Sequence, residues 1–422
     1  MFSNKKSNIH TIFSSECISF FDWQSLALFH SFNTSGQSGK ITRLLACSEY
    51  DSYNDVLKDF GNTFVHRNMR DDPLVHEKNY PSYNKPYSIM AFLEKEDVSA
   101  EYIIMLDSDM IIRKPINPKS LGAKPGTVVS AEYSYLVGAD NAFKKRFLDT
   151  DNSIYKVGGF HIFHIDDLRK IVPLWFEYTK KVRTFMHENV DTYLRESMLS
   201  PETAGDVQKK QAKWHAEMYG YIFAASQLNI SHVVTKDVML YPGYEPYLQR
   251  QPYILHYGID YTVKNVLFNK MTHTNLYISK CNGFLFNNAD LDINTSKKDS
   301  ISIENIDQLN SALCYFYEEK CTQKCLPEHK EKIKEDLEYI SNTWKCDDQN
   351  INCELWASQG ECLENVLYMN NVCTKSCNLC IEEHHNIDYK LVSLITIFIG
   401  VLLILGRRYY IIKKTEDKDH IV

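Results

Sequence analysis

The chain has 422 residues, 44% of them apolar, which is enough for one large domain with a sizeable core plus small modules. Its formal net charge is −7 and no basic block spans the main part, so nucleic acid is excluded as the expected partner. Twelve cysteines, crowded toward the C-terminal third, point to an oxidising compartment.

The predicted elements alternate from the beginning. Ile9 to Ser14 reads as a strand ending in small polar residues, Phe20 to Phe32 has helical spacing, and Ile41 to Cys47 and Thr63 to Arg67 read as further strands. Asn84 and Pro86 open a helix over Lys85 to Glu96. Tyr102 to Leu106 is a short apolar run with branched residues, a buried strand by pattern, and it ends in Asp107-Ser108-Asp109. Alternation of this kind predicts an α/β domain with a mainly parallel sheet covered on both faces, and such sheets bind ligands at the carboxyl ends of their strands. Ser14, at the tip of the first strand, and the Asp107/Asp109 edge are therefore expected to share one crevice. No GxGxxG follows the first strand, which disfavours a dinucleotide dehydrogenase.

Residues i and i+2 of a strand point to the same side, so both carboxylates can face that crevice. Two anions so placed repel unless a cation lies between them, and oxygen ligands suit Mg²⁺ or Mn²⁺. Such an ion can bridge to a diphosphate and neutralise it as it leaves. Asp-x-Asp alone also describes a capped loop; the strand before it and the apolar Met110 to Ile112 after it favour the metal reading. Lys85 stands where it can reach a diphosphate, although a solvated lysine at a helix start has the same sequence signature.

Thr127 to Tyr133 and Val157 to Ile165 are further predicted strands. Gly158 and Gly159, at the entry of the second, suggest a backbone that something approaches closely. Asp166 and Asp167 are expected to cap a helix running through Trp175. His161 and His164, three apart, face opposite sides and make poor partners for one metal. The segment 185–213 is left unassigned. A helix rich in aromatics begins at Trp214 and places Glu217 among apolar neighbours, either as a reactive carboxylate or as the partner of a nearby cation. Tyr241 to Tyr244 reads as a turn. Tyr253 to Gly258 is a short strand whose His256 is either structural or the third ligand of an Asp, Asp, His site, with Gly258 beside it.

A strand ending in Asp-x-Asp followed by a late Leu-His-Tyr-Gly resembles a GT-A glycosyltransferase, a Rossmann-like fold. The phrases FSSECISFFDWQSLALFHSF at 13–32, ITRLLACSE at 41–49, YPSYNKPYSI at 80–89 and LDSDMIIRKPI at 106–116 resemble the peptidyl serine α-galactosyltransferase family. So do YLVGADN at 135–141, KVGGFHIFHIDDLRKIVPLW at 156–175, EMYGYIFAA at 217–225, and MLYPGYEP and ILHYG further on. Hydroxyproline O-arabinosyltransferases share much of this pattern. The resemblance covers about residues 9–275 and implies transfer of a sugar from a UDP-sugar, with UDP-galactose and Mn²⁺ (or Mg²⁺) as the expected pair, onto serine hydroxyls of secretory-pathway proteins with retention of configuration. Alternatives are hydroxyproline arabinosylation, or an inactive membrane-tethered binding protein. The resemblance carries over Asp107, Asp109 and His256 as metal ligands and Lys85 as a diphosphate contact. Ser14, Asp107, Gly158, Gly159 and Gly258 are expected to contact the donor, and Glu217 or Asp140 is the carboxylate available for a covalent route.

Cys346, Cys353, Cys362, Cys373, Cys377 and Cys380 resemble a ShK-toxin-like module, whose family pairing implies Cys346–Cys380, Cys353–Cys373 and Cys362–Cys377; spacing alone allows fifteen connectivities. Cys17 and Cys47 border the first two strands and are a plausible pair, and Cys281, Cys314, Cys321 and Cys325 are positioned to staple the stretch between the two modules. Leu391 to Gly406 is uncharged, bounded by Lys390 and Arg407-Arg408, and reads as a membrane anchor. The basic tail after it places the C-terminus in the cytosol and the bulk of the chain in a lumen. The expected location is the ER or Golgi membrane, although MFSNKKSNIHTIFSSE has no apolar leader core. N-x-S/T triplets stand at Asn33, Asn229 and Asn294. The expected order is thus a GT-A-like domain at 9–280, a cysteine-containing linker region at 281–345, a ShK-like module at 346–380, a transmembrane helix at 391–406 and a cytosolic tail at 407–422.

Overall fold

A computed structural model describes residues 8–48, 53–71, 79–197, 215–247, 250–292 and 295–344, and, further on, 348, 350–365, 368–369, 372–373 and 375–377. The chain divides into two compact units at Trp344/Lys345. In the first, β1 (Ile9–Glu16), α1 (Ser19–Thr34), β2 (Lys40–Cys47), β3 (Asn62–Arg67), α2 (Asn84–Lys95) and β4 (Tyr102–Asp107) follow the alternation that the apolar periodicity predicts. Then come β5 (Met110–Ile112), β6 (Thr127–Glu132), β7 (Val157–His164), α3 (Ile165–Glu188), α4 (Val190–Ser197) and α5 (His215–Gln227). The unit continues with β8 (Ser231–Thr235), β9 (Met239–Leu240), β10 (Ile254–His256), β11 (Tyr261–Val263) and β12 (Val266–Phe268), and closes with α6 (Lys297–Lys320) and α7 (Pro327–Thr343).

Seven strands form the central sheet in the order β3-β2-β1-β4-β7-β6-β8. The pairs β2–β3, β1–β2, β1–β4 and β6–β8 are parallel, whereas β7 runs antiparallel to both β4 and β6. The sheet is thus mixed, not simply parallel. After β1 the chain moves outward through β2 and β3, then returns to the other side of β1 for β4. That reversal is a topological switch point, where open α/β sheets leave a crevice beyond the strand ends. The general right-handedness of such crossovers puts α1 and α2 on opposite faces there.

α3 is capped by His164, whose Nδ1 accepts the Asp166 backbone N–H at 3.4 Å. Asp166 and Asp167 occupy the first turn instead, where negative charge complements the helix dipole. Of the segment 185–213, α3 and α4 take the part up to Ser197, and 198–214 lies outside the described residues.

Most of the stretch 281–345, separated above as a linker region, is folded into the first unit. Ile301, Ile306, Leu313 and Phe316 of α6 join the main core. Arg113, just after β5, makes a buried bidentate pair with Glu304 of α6 at 2.7 and 2.6 Å. Removing one partner of such a pair strands a buried charge and costs about 3–5 kcal/mol. Disulfides Cys281–Cys321 and Cys314–Cys325 secure the same region, and Cys17–Cys47 ties the ends of β1 and β2.

The second unit contains α8 (Cys353–Ser358) and α9 (Glu361–Glu364). Cys353–Cys373 and Cys362–Cys377 are paired as the ShK resemblance implies. A small buried cluster of Cys353, Met369 and Cys373 is its core, so covalent staples do what apolar area alone cannot at this size. Cys346, Cys380, the apolar segment 391–406 and the tail 407–422 lie outside the described residues. Among the described residues no helix is long and apolar enough to cross a membrane.

Candidate active site

The switch point gathers the acidic residues. Ser14 of β1 and Asp107 of β4 are register partners on adjacent parallel strands, so the first strand's tip and the acidic edge share one side of the sheet. Ser14 Oγ lies 2.9 Å from Ser88 Oγ of α2. The N-terminus of α2 is fixed by Asn84, which accepts the Met69 backbone N–H at 2.7 Å and donates to Glu16 at 2.7 Å. That anchoring aims Lys85 at the crevice.

The histidine arrives through a second, smaller sheet of order β5-β10-β9. β10 pairs antiparallel with β5 so that His256 faces Met110, and the Tyr257 N–H donates to the Asp109 carbonyl at 3.1 Å. Backbone register therefore delivers the imidazole to the second aspartate across some 150 residues of chain. His256 Nε2 stands 3.3 Å from Asp109 Oδ1. One ligand atom each from Asp107, Asp109 and His256 lies within 4.8 Å of the others. Asp109 and His256 are each 6% exposed, while Asp107 opens toward solvent. β9 runs parallel to β10, and the residue after it, Tyr241, stacks on the His256 ring with centroids 4.7 Å apart. The Tyr241 hydroxyl meets that of Tyr133 at 2.8 Å.

Two lysines neutralise the acids. Lys85 Nζ is 2.7 Å from Asp107 Oδ1 and 3.4 Å from Glu217 Oε2. Burial works against its charge, but Asp107 and Glu217 more than offset that and hold Lys85 above the ordinary lysine range. Glu217, 3% exposed on α5, is pushed up to about 7, chiefly by burial and further by the Asp107 charge, against the pull of Lys85. Lys270, at the start of the short 3₁₀ turn Lys270–His273, pairs with Asp109. Burial opposes the charge on Asp109 too, yet Lys270 and His256 keep it well below the usual carboxylate range.

The structure thus brings Lys85, Asp107, Asp109, Glu217, His256 and Gly258 together in one cluster, with Ser14 beside Asp107 on the adjoining strand. A Cβ on Gly258 would lie 2.7 Å from His256 Nε2, so the glycine leaves room for the ring atom that faces Asp109. Gly258→Ala is expected to displace that ring and to cost about 1–3 kcal/mol of stability, measured by urea denaturation; an unchanged midpoint would remove this role from Gly258.

Gly158 and Gly159 mark a close approach by a protein ring, that of Tyr133. Cβ atoms there would lie 2.3 Å from Tyr133 Cδ2 and 2.6 Å from Tyr133 Oη, and Gly159 has φ +72°. Asp140 is also displaced from its expected place. Its side chain is 56% exposed and pairs with Lys156 at 2.9 Å, and it makes no contact with the cluster among the described residues. Lys270 and Tyr241 are the participants that the sequence did not reveal. A single lysine in a loop and one tyrosine among 27 carry no spacing signal.

The donor set fits a hard divalent cation. Two carboxylates and one imidazole converge, and among the described residues His256 Nδ1, buried beside the stacked Tyr241 ring, has no hydrogen-bond partner.

Residues 9–234 match the model of the hydroxyproline O-arabinosyltransferase family N-terminal domain, more than half of the chain. The chain belongs to this family. Residues 345–380 match a ShK domain-like model. A peptidyl serine alpha-galactosyltransferase of Arabidopsis thaliana is 36% identical over 334 residues, 77% of this chain and 40% of that protein. One of Chlamydomonas reinhardtii is 28% identical over 434 residues, 90% of this chain and 56% of the relative. A hydroxyproline O-arabinosyltransferase of Medicago truncatula is 25% identical over 260 residues, covering 58% of this chain and 63% of its own length. The chain spans about half the length of the first two of these relatives. The family model spans β1 to β8, which includes Asp107, Asp109 and Glu217, while His256 and Lys270 lie beyond it.

Proposed function

We propose that this protein is a metal-dependent glycosyltransferase that moves a sugar from a UDP-sugar onto hydroxyl groups of polypeptides, with galactose and serine as the first assignment. The observation that carries the reading is the convergence of Asp107, Asp109 and His256, from separate sheets, within 4.8 Å. The two relatives named for serine galactosylation support the choice of sugar and acceptor. Asp107, Asp109 and His256 would hold Mn²⁺ or Mg²⁺, which supplies charge neutralisation to the departing diphosphate. Lys85 keeps Asp107 oriented and adds positive charge beside it. Ser14 and Gly258 border the same crevice. Glu217 sits behind Lys85 and sets its position from a buried site. The acceptor proton passes to the leaving phosphate on the same face, so no strong protein base is needed and configuration is retained. Should the reaction run through a covalent intermediate, Glu217 is the carboxylate paired with Lys85 next to the acids.

The disulfides support an oxidising compartment, and we place the catalytic unit on the lumenal side of the ER or Golgi membrane, anchored by 391–406 with the tail cytosolic. The test is direct. UDP with Mn²⁺ is expected to raise the melting temperature, by the equivalent of about 2.7 kcal/mol at a hundredfold excess over Kd, and EDTA is expected to abolish the shift. UDP-galactose with serine peptides is expected to outperform UDP-arabinofuranose with hydroxyproline peptides. The reverse preference would assign arabinosyl transfer to hydroxyproline instead. No stabilisation and no transfer from either donor would leave a binding protein.

A further inference from the structure

We propose that Lys270 is an exchangeable counter-ion: its ammonium holds Asp109 in the metal-free protein and competes with a divalent cation that binds there. This rests on the metal reading of Asp107, Asp109 and His256.

The two lysines of the site are built differently. Lys85 stands in the first turn of α2, an element fixed by Asn84, and is held between Asp107 and Glu217. Lys270 is carried by a 3₁₀ turn of four residues after the β11–β12 hairpin, secured at its start by Asn269 accepting the Met271 N–H at 2.8 Å. Asp109 is its partner among the described residues, and the lysine side chain remains 19% exposed. Its flexible stem can therefore carry the ammonium to solvent without moving the sheet. Asp109 has no such freedom. It is buried, one oxygen faces His256 and the other faces Lys270.

A dication held by Asp107, Asp109 and His256 and an ammonium on Asp109 are like charges at contact range in a water-poor site, where repulsion is weakly screened. Sharing the carboxylate, with the cation on Oδ1 and the ammonium on Oδ2, is therefore disfavoured. Lys270 thus gives the buried acid a partner when no cation is present, which preserves the crevice, and it lowers the affinity for the bare cation. Once displaced, the ammonium stays tethered beside the crevice, where the phosphates of a bound nucleotide offer it a new partner. Cation and nucleotide then favour each other's binding, and such coupling is reciprocal.

Mn²⁺ titration followed by the EPR signal of the free ion tests this in the full chain, with and without UDP. Lys270→Met is expected to bind Mn²⁺ about tenfold more tightly than the parent without UDP, and UDP is expected to strengthen Mn²⁺ binding less in the variant than in the parent. Lys270→Arg, which keeps the charge, is expected to follow the parent. In EDTA, Lys270→Met is expected to melt below the parent, and Mn²⁺ is expected to raise its melting temperature by more. Lys270→Gln serves the same titration if the methionine variant does not fold. Equal or weaker Mn²⁺ binding by the uncharged variants, with the parent binding normally, would overturn the exchange and leave the metal reading standing. Absence of Mn²⁺ binding by the parent itself would overturn both.

Discussion

Asp109→Asn is expected to lower sugar transfer by about a hundred- to a thousandfold or more while leaving a folded protein. The carboxylate is buried between His256 and Lys270, while the Asp109 backbone carbonyl separately accepts the Tyr257 N–H. An amide of nearly the same shape keeps the packing, so the β5–β10 pairing survives. It removes the charge that attracts a cation, and it sets an uncharged group against Lys270. Because the lysine side chain is partly exposed, its ammonium can turn to water, and the stability loss is held to about 1–3 kcal/mol. Transfer assays at saturating donor, together with thermal melts in EDTA and in Mn²⁺, separate the two effects. The parent's melt is expected to respond to Mn²⁺ and the variant's not to. Transfer by Asp109→Asn at the parental rate would end the assignment of Asp109 to the reaction.

What the sequence disclosed depended on how local each signal was. The acidic edge was legible because an apolar run and two acids at i and i+2 are adjacent in the chain, and the structure places Asp107 at the end of β4 and Asp109 in the turn that follows. His256 has no local signature of its own. Its meeting with Asp109 is made by pairing between β10 and β5, which a reading along the chain finds only through resemblance. Strand direction was hidden for a similar reason. β7 is buried along nearly its whole length, and a strand covered on both faces shows the same apolar run whether it lies parallel or antiparallel to its neighbours. Gly158 and Gly159 announced a close approach without naming what approaches, and Tyr133 is what fills the space. α6 was obscured by its own composition. Ser300, Ser302, Asn305, Asp307 and Asn310 are buried along with its isoleucines, so the contrast between apolar and polar faces that marks a helix is blurred. Those polar groups bond outward to the rest of the unit, Asn305 to the Tyr261 hydroxyl at 2.9 Å and Asn310 to the Phe286 backbone at 2.8 and 2.9 Å. The helix belongs to the first unit through hydrogen bonds as much as through apolar contact.

Glu217→Gln is expected to change both the pH dependence of stability and the rate of transfer, by amounts that separate a supporting role from a chemical one. In the metal-free protein Glu217 titrates near 7, against an ordinary value of 4.5. A carboxyl raised in the folded state contributes stability that is fully present below about pH 4.5 and is lost as the pH rises through about 7. The loss amounts to about 3 kcal/mol. Glutamine has no such titration, so the stability of the variant relative to the parent is expected to rise by about that amount between pH 4.5 and pH 8, measured by urea denaturation in EDTA. Parallel curves would show that Glu217 is not poised near neutrality. For transfer, Lys85 retains Asp107 as a partner at 2.7 Å when Glu217 is neutralised, so a supporting glutamate is expected to cost about ten- to a hundredfold. A glutamate that attacks the sugar allows no such remainder, since an amide in its place cannot form the glycosyl ester at all. A residual rate above a hundredth of the parent's therefore favours transfer on one face with the leaving phosphate taking the proton. A loss beyond ten-thousandfold, together with a glycosylated Glu217 peptide in the parent, would establish the covalent route instead.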